Sequence, residues 1–207
     1  MNILVMESDP GAARQAVEDL EAAGHRVHRC HEYRAPAFPC VGLASNTCPL
    51  ERAAIDVVLA VRSHVQPRPS ATEDGIACAL RRRVPVVVTG QTLLNPFEAL
   101  GAVPAEGDAV KACETVAAGP LLGHSAVAQG VLVDLFRLHG LPEDIGDVVV
   151  RRTSGRLDVT VHVGASVPNA IRTVAAVRIT GALRSYDPYA AGIDIGCEET
   201  NAFRNAR

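Results

Sequence analysis

Nowhere in the 207 residues does an apolar run reach the ~18 residues that a bilayer-spanning helix needs, although 48% of the chain is apolar. A protein with no transmembrane segment is expected. The opening residues Met1 to Val5 pass at once into acidic ones, without the charged stretch and cleavable apolar core of an export signal, so the expected location is cytoplasmic. Positive charge is not in excess either: the net charge is −3, which offers no electrostatic footprint for nucleic acid. The two basic clusters, Arg81-Arg82-Arg83 and Arg151-Arg152, read as a solvated helix end and a strand edge. Lys111 is the only lysine, a bias of coding composition rather than a phosphate-binding surface. The loop after the first predicted strand holds only Gly11, too few glycines for backbone to approach a pyrophosphate, which argues against a dinucleotide-binding domain.

What is present first is alternation of strand and helix. Residues 2–6 are a short apolar run ending in Glu7-Ser8-Asp9-Pro10, the profile of a buried parallel strand followed by a helix start. From 11 to 23, Ala12, Ala16, Val17, Leu20 and Ala23 recur at helical spacing, with Asp9 as the expected cap and Gly24 as the stop. A strand is expected at 26–30, then a long irregular stretch marked by Pro36, Pro39, Gly42 and Pro49. Residues 55–61 are β-branched enough for a central strand, 62–70 a loop, 73–83 a helix and 84–89 a strand. A short fifth strand within 100–104 and a helix over 107–118 complete an open parallel α/β sheet with helices on both faces.

Gly119-Pro120-Leu121-Leu122-Gly123 breaks the pattern, and the periodicities change after it. The expected organisation is a first domain over 1–118, a linker at 119–124, a small αββαβ domain over 125–200 and a loose tail at 201–207. In the second domain, 125–139 is a helix capped by Ser125 with Val127, Val131, Leu135 and Leu138 on one stripe. Residues 147–151 and 156–163 form a hairpin around Thr153-Ser154-Gly155, with Leu157, Val159, Val161 and Val163 inward and Asp158, Thr160 and His162 outward. A helix then starts with Pro168 in its first turn and runs to about 184, burying Ile171, Val174, Ala175, Ile179, Ala182 and Leu183, and 191–197 is a closing strand.

Across 1–118 the chain resembles the receiver domains of two-component response regulators, most plainly in Ile3-Leu4-Val5-Met6-Glu7-Ser8-Asp9-Pro10 and in Val86-Val87-Val88-Thr89-Gly90. The resemblance implies a flavodoxin-like fold. It also implies a phosphoacceptor site: two acids after the first strand hold Mg²⁺, an aspartate ends the third strand, a hydroxyl ends the fourth and a lysine ends the fifth. The chemistry needs every part, because an anionic carboxylate approaches an anionic phosphoryl group only when a hard cation neutralises the charge. Here Glu7 matches the first acid, but Ser8 stands at the second. Val61 or Arg62 stands where the attacking aspartate belongs, and Gly101-Ala102-Val103-Pro104 carries no lysine. Thr89 matches the switch hydroxyl. Glu7, Asp9, Val61, Arg62 and Thr89 therefore form a vestigial site, and the simpler reading of Glu7, Asp9 and Thr89 is that they end strands and cap a helix.

Six cysteines with no export signal argue against a disulfide framework. Cys113 and Cys197 read as core. Cys30, Cys40, Cys48 and Cys78, with His28 and His31 nearby, are either separate thiols or the ligands of a zinc or iron–sulfur site, although no pair has the two-to-four-residue spacing of an ordinary metal knuckle. No local arrangement supports a cysteine nucleophile with a histidine base.

From about 145 to 198 the chain resembles the alkaline-shock, envelope-stress family of small bacterial proteins, in the strand 158–163, the turn 164–168, the helix through Ile171, Val174 and Ile179, and Gly192-Ile193-Asp194-Ile195. Tyr186-Asp187-Pro188-Tyr189 departs from that pattern. The strand–helix order also resembles the cytoplasmic ferredoxin-like domain of cation-efflux transporters, but His162 is the only ligand candidate on its wet face. The first resemblance implies a self-association or docking module without catalytic residues, so the reading is a non-enzymatic pseudo-receiver joined to such a module, expected as a homo-oligomer. Two alternatives stand beside it: a cysteine-based metal or redox sensor, and an enzyme or ligand binder with a pocket near Glu7, Arg62 and Thr89.

Overall fold

The computed structural model describes residues 1–31 and 36–200, so the expected tail at 201–207 lies outside the described residues. The chain divides into two compact units, Met1–Ala118 and Gly119–Arg207.

The first unit is mixed α/β around a five-stranded, all-parallel sheet. Its strands are β1 (Asn2–Glu7), β2 (Arg26–Arg29), β3 (Val57–Arg62), β4 (Val86–Gly90) and β5 (Val103–Pro104), in the order β2-β1-β3-β4-β5. β1 and β3 are buried on both faces, which is why they read as continuous apolar runs rather than alternating ones. On one face Ile3, Val5, Val57, Leu59 and Val87 pack against α1 (Arg14–Ala22) and α5 (Ala109–Ala118), through Leu20 and Cys113 among others. On the other, Leu4, Met6, Val58, Ala60, Val86 and Val88 pack with Ile76 and Ala79 of α4 (Gly75–Arg81). Each fully buried Leu or Ile in these layers contributes roughly 1.5–3 kcal/mol relative to an exposed one.

The structure corrects several local expectations here. α1 starts at Arg14, and Asp9 does not cap it: the cap residue is Ala13, whose own side chain makes no cap bond and whose N–H donates to the Glu7 carboxylate at 3.0 Å. The irregular stretch after β2 contains two short helices, α2 (Val41–Ser45) and α3 (Pro49–Arg52), each opened by a cysteine, Cys40 and Cys48. Apolar spacing could not reveal helices of five and four residues. A single 3₁₀ turn over Ala71–Glu73 precedes α4, closed by a capping box between Ser70 and Glu73.

In the second unit α6 (Leu122–Leu138) is followed by β6 (Gly146–Thr153), β7 (Arg156–Val163), α7 (Asn169–Tyr186) and β8 (Gly192–Glu199). β7 is central, antiparallel to β6 and parallel to β8; α7 supplies the crossover that a parallel pair requires. Thr153 pairs with Arg156, so the hairpin turn is Ser154-Gly155, both at positive φ (50° and 77°), the backbone of a type I′ turn. Leu157, Val159, Val161 and Val163 face the helices, and Asp158 on the opposite face is exposed.

The expected cap of α6 does not hold, and its expected stripe holds only in part, at Leu135. The helix begins at Leu122, inside the supposed linker, and Ser125 sits within its first turn, its hydroxyl accepting the Val150 N–H at 3.0 Å. Its buried face is His124, Ala128, Leu132, Leu135 and Phe136, while Leu138 is exposed and Val127 and Val131 only flank the core. An apolar helix with little contrast between faces leaves its phase undetermined by pattern alone. Pro168 occupies the position before α7 rather than its first turn, Val174 is exposed, and β8 continues to Glu199. By length and composition, 109–138 is apolar enough to cross a membrane; here it is broken into α5 and α6 at 119–121.

Candidate functional site

In a parallel sheet the carboxyl ends of all strands share one edge, and ligands of open α/β sheets bind outside that edge where the strand order reverses, here between β1 and β3. Register places Glu7 opposite Val61, and Val61 opposite Thr89, in one row across β1, β3 and β4. Because successive side chains alternate faces, Val61 and Thr89 turn to the α1/α5 side and Arg62 to the other. The position expected for an attacking aspartate is thus filled by a valine, and the neighbouring guanidinium points away from it.

Arg62 is 1% exposed and Glu73 0%. Its Nε donates to Glu73 Oε1 at 3.0 Å, and its two terminal nitrogens donate to the Leu94 and Arg68 carbonyls at 3.3 and 3.2 Å. The second Glu73 oxygen accepts the Ser70 N–H at 2.8 Å. All three guanidinium nitrogens are spent on fastening the 68–73 and 94 segments to the sheet, so this cation holds loops rather than ligand. Gly90 completes the lock: at φ +83°, a Cβ there would lie 2.2 Å from the Arg62 carbonyl oxygen, so no other residue fits without moving backbone.

Two hydroxyl-bearing turns meet at the reversal point. Ser8 N–H donates to the Val61 carbonyl at 2.9 Å, and Ser63 N–H donates to the Ser8 hydroxyl at 3.0 Å. Asp9 accepts from the hydroxyls of Ser8 and Ser63, which together, the Ser63 bond foremost, hold its carboxyl below the usual aspartate range. Ser63 Oγ also lies 2.6 Å from His64 Nδ1. The Asp9 carboxylate lies 3.6 Å from that same Nδ1, so serine and carboxylate face one ring nitrogen and the relay across the imidazole of a hydrolytic triad is not formed. Ser63 and His64 escaped the sequence reading; their place directly after β3 was the available signal. Thr72 Oγ1 donates to the Glu7 carbonyl at 2.6 Å, closing the loop over β1.

Glu7 is occupied by the Ala13 N–H, with Arg29 3.9 Å from its other oxygen. Beside the row, an open cleft of about 640 Å³ is lined by Val61, Thr89, Gly90, Gln15, Asp19 and Asp108, among others. It takes in Thr89 but neither Glu7 nor Arg62.

The cysteines fall into two groups. Cys113 is buried in α5, and its thiol is pushed up to about 12 by burial and by Glu114. Cys197, expected in the core, is exposed on β8. Cys30 is buried, Cys40 and Cys48 are half-buried and Cys78 is exposed. Burial, then the neighbouring Cys48, Cys40 and Cys78, raise the Cys30 thiol to about 12. Among the described residues no three His, Cys, Asp or Glu side chains stand close enough to share one metal ion. His28 Nε2 is 3.1 Å from Asn2 Oδ1, tying β2 to β1, whereas His31 keeps a buried Nδ1 with no partner among the described residues.

In the second unit His162 sits 3.6 Å from Glu198 on the wet face. Arg152, expected at a solvated edge, is instead buried with Asp187 and His124: the Asp187 carboxylate accepts from Arg152 and lies 3.0 Å from His124 Nε2. Tyr186 meets His124 edge-on, with ring centroids 5.0 Å apart.

No family model matches the chain, and no curated protein matches it.

Proposed function

We propose that the chain is a non-enzymatic, cytoplasmic regulatory or interaction protein of bacterial stress-response type, in which a flavodoxin-like pseudo-receiver is coupled to an alkaline-shock-like module for self-association or docking. The observation that carries this reading is Val61 at the acceptor position, with the adjacent Arg62 committed to Glu73 and two carbonyls. The strand order β2-β1-β3-β4-β5 supports the flavodoxin-like assignment. With no carboxylate at the end of β3 and Ser8 in place of a second acid, the edge lacks the attacking aspartate and one of the two adjacent acids that receivers use for phosphoryl transfer.

A contact function is supported by apolar side chains left in water. In the segment that joins β4 to the edge strand β5, Leu93, Leu94 and Leu100 are 71%, 57% and 63% exposed. In the reading proposed here this edge pairs with a second copy of the chain. Light scattering on a size-exclusion column at micromolar concentration is expected to give a dimer, and the double variant Leu93→Asp, Leu100→Asp a monomer. A wild-type protein that is monomeric throughout would count against pairing.

A further inference from the structure

Register sets Thr89 beside Val61 at the carboxyl edge of the parallel sheet, with its side chain on the face that α1 and α5 cover. The residue is only 6% exposed and lines the open cleft of about 640 Å³ between those helices, yet no described residue hydrogen-bonds its hydroxyl. A hydroxyl buried without a partner weakens a fold. The cleft is the side from which that hydroxyl can be met. Its volume is in the range of small-molecule sites, and the carboxyl edge of the strands is where open α/β sheets take their ligands. Gly90 and Gly107 put no side chain across it.

Charge on the walls selects the ligand. On α1, Gln15 Nε2 donates to Asp19 Oδ1 at 2.9 Å, which leaves Asp19 Oδ2 uncommitted. At the start of α5, Asp108 Oδ1 accepts the Val110 and Lys111 N–H groups at 2.9 and 3.2 Å. This leaves Asp108 Oδ2 uncommitted and occupies two first-turn amides that would otherwise attract an anion. Among the described residues no lysine, arginine or histidine lines the cleft. An entering anion would meet two carboxylates and no cation, whereas an ammonium group finds an acceptor on each wall. Ala16, Val61 and Ala109 give the space between them apolar sides, which suit methylene groups. We propose that this cleft binds a short aliphatic diamine, with one ammonium group at Asp19, the other at Asp108, and the Thr89 hydroxyl as a further acceptor. Binding here involves the first unit alone and does not depend on whether the chain pairs with a second copy.

The test titrates putrescine into the full chain in a calorimeter at about 0.15 M sodium chloride, where loose surface ion pairing is screened. Butanediol and succinate, of the same chain length, serve as the uncharged and the anionic probe. Expected are saturable uptake of one putrescine per chain, binding of butanediol at least ~tenfold weaker, and no binding of succinate. Asp19→Asn and Asp108→Asn remove charge but keep the acceptor that Gln15 uses and the cap of α5. Each should weaken putrescine binding at least ~tenfold with little change in the urea midpoint. Thr89→Val keeps the β-branched shape and loses the hydroxyl, so it should weaken binding by roughly two- to tenfold while raising the urea midpoint, a combination that a purely structural threonine does not give. No saturable heat with putrescine, succinate bound as tightly as putrescine, or an affinity unchanged in all three variants would overturn the proposal.

Discussion

Arg62→Ala is expected to destabilise the first unit by about 3–5 kcal/mol, because it strands the Glu73 carboxylate, 0% exposed, without its cation. Glu73→Ala should cost a similar amount by stranding the guanidinium. The ion pair itself is a different matter. Attraction between two fully buried charges is set against the loss of their hydration, so replacing both by apolar residues of similar size, Arg62→Met with Glu73→Leu, should recover most of the loss. The double variant still gives up the bonds to Leu94, Arg68 and Ser70, so recovery should be incomplete. Urea unfolding of the two single variants and the double variant measures each corner of the cycle. Near-additive losses would mean that Arg62 and Glu73 do not act as a pair.

Asp187→Asn is expected to remove a comparable ~3–5 kcal/mol from the second unit, since Arg152 and His124 then remain buried without their anion. Burial is the largest influence on this carboxyl and pushes its pKa up, but the hydrogen bond from His124 and the charge and hydrogen bond of Arg152 together outweigh it and leave it lowered. A folded-state pKa below the unfolded value of about 3.9 means that the unfolded chain binds the proton more tightly. The stabilisation is therefore fully present above pH ~4 and is lost as pH falls through the folded value. Wild-type unfolding midpoints should drop below pH ~4 by more than those of Asp187→Asn, which lacks this titration. Parallel pH profiles for the two proteins would show that the carboxylate is not held in its ionised form.

The strongly patterned parts of the chain were legible in advance. β1 and β3 announce themselves as uninterrupted apolar runs because both faces are covered, and β7 alternates without a fault because one face is wet. That β3 ends in Val61-Arg62 and not in an aspartate was readable because it depends only on which residues end that strand. What stayed hidden was decided by tertiary partners. Nothing in Arg152 announces that Asp187, 35 positions away, will bury it. Arg62 was visible as a cation at the end of β3, yet its role as a fastener comes from Glu73 and two loop carbonyls. The phase of α6 was wrong for a different reason: Val127, Val131 and Leu138 are as apolar as Ala128, Leu132 and Phe136, so only packing could choose between stripes. The cysteines were visible as a set, but which of them are buried is decided by packing.

Incubation of the full chain with acetyl phosphate and Mg²⁺, followed by intact-mass measurement and peptide mapping, tests most directly the proposal that the first unit is a receiver-like domain unable to take a phosphoryl group. No phosphate should appear on any residue from 1 to 118, since Val61 has no oxygen to attack with and Arg62 is bound elsewhere. Near-stoichiometric, hydroxylamine-labile phosphate within that unit would contradict it, because it would show a reactive carboxylate although β3 ends in valine and arginine.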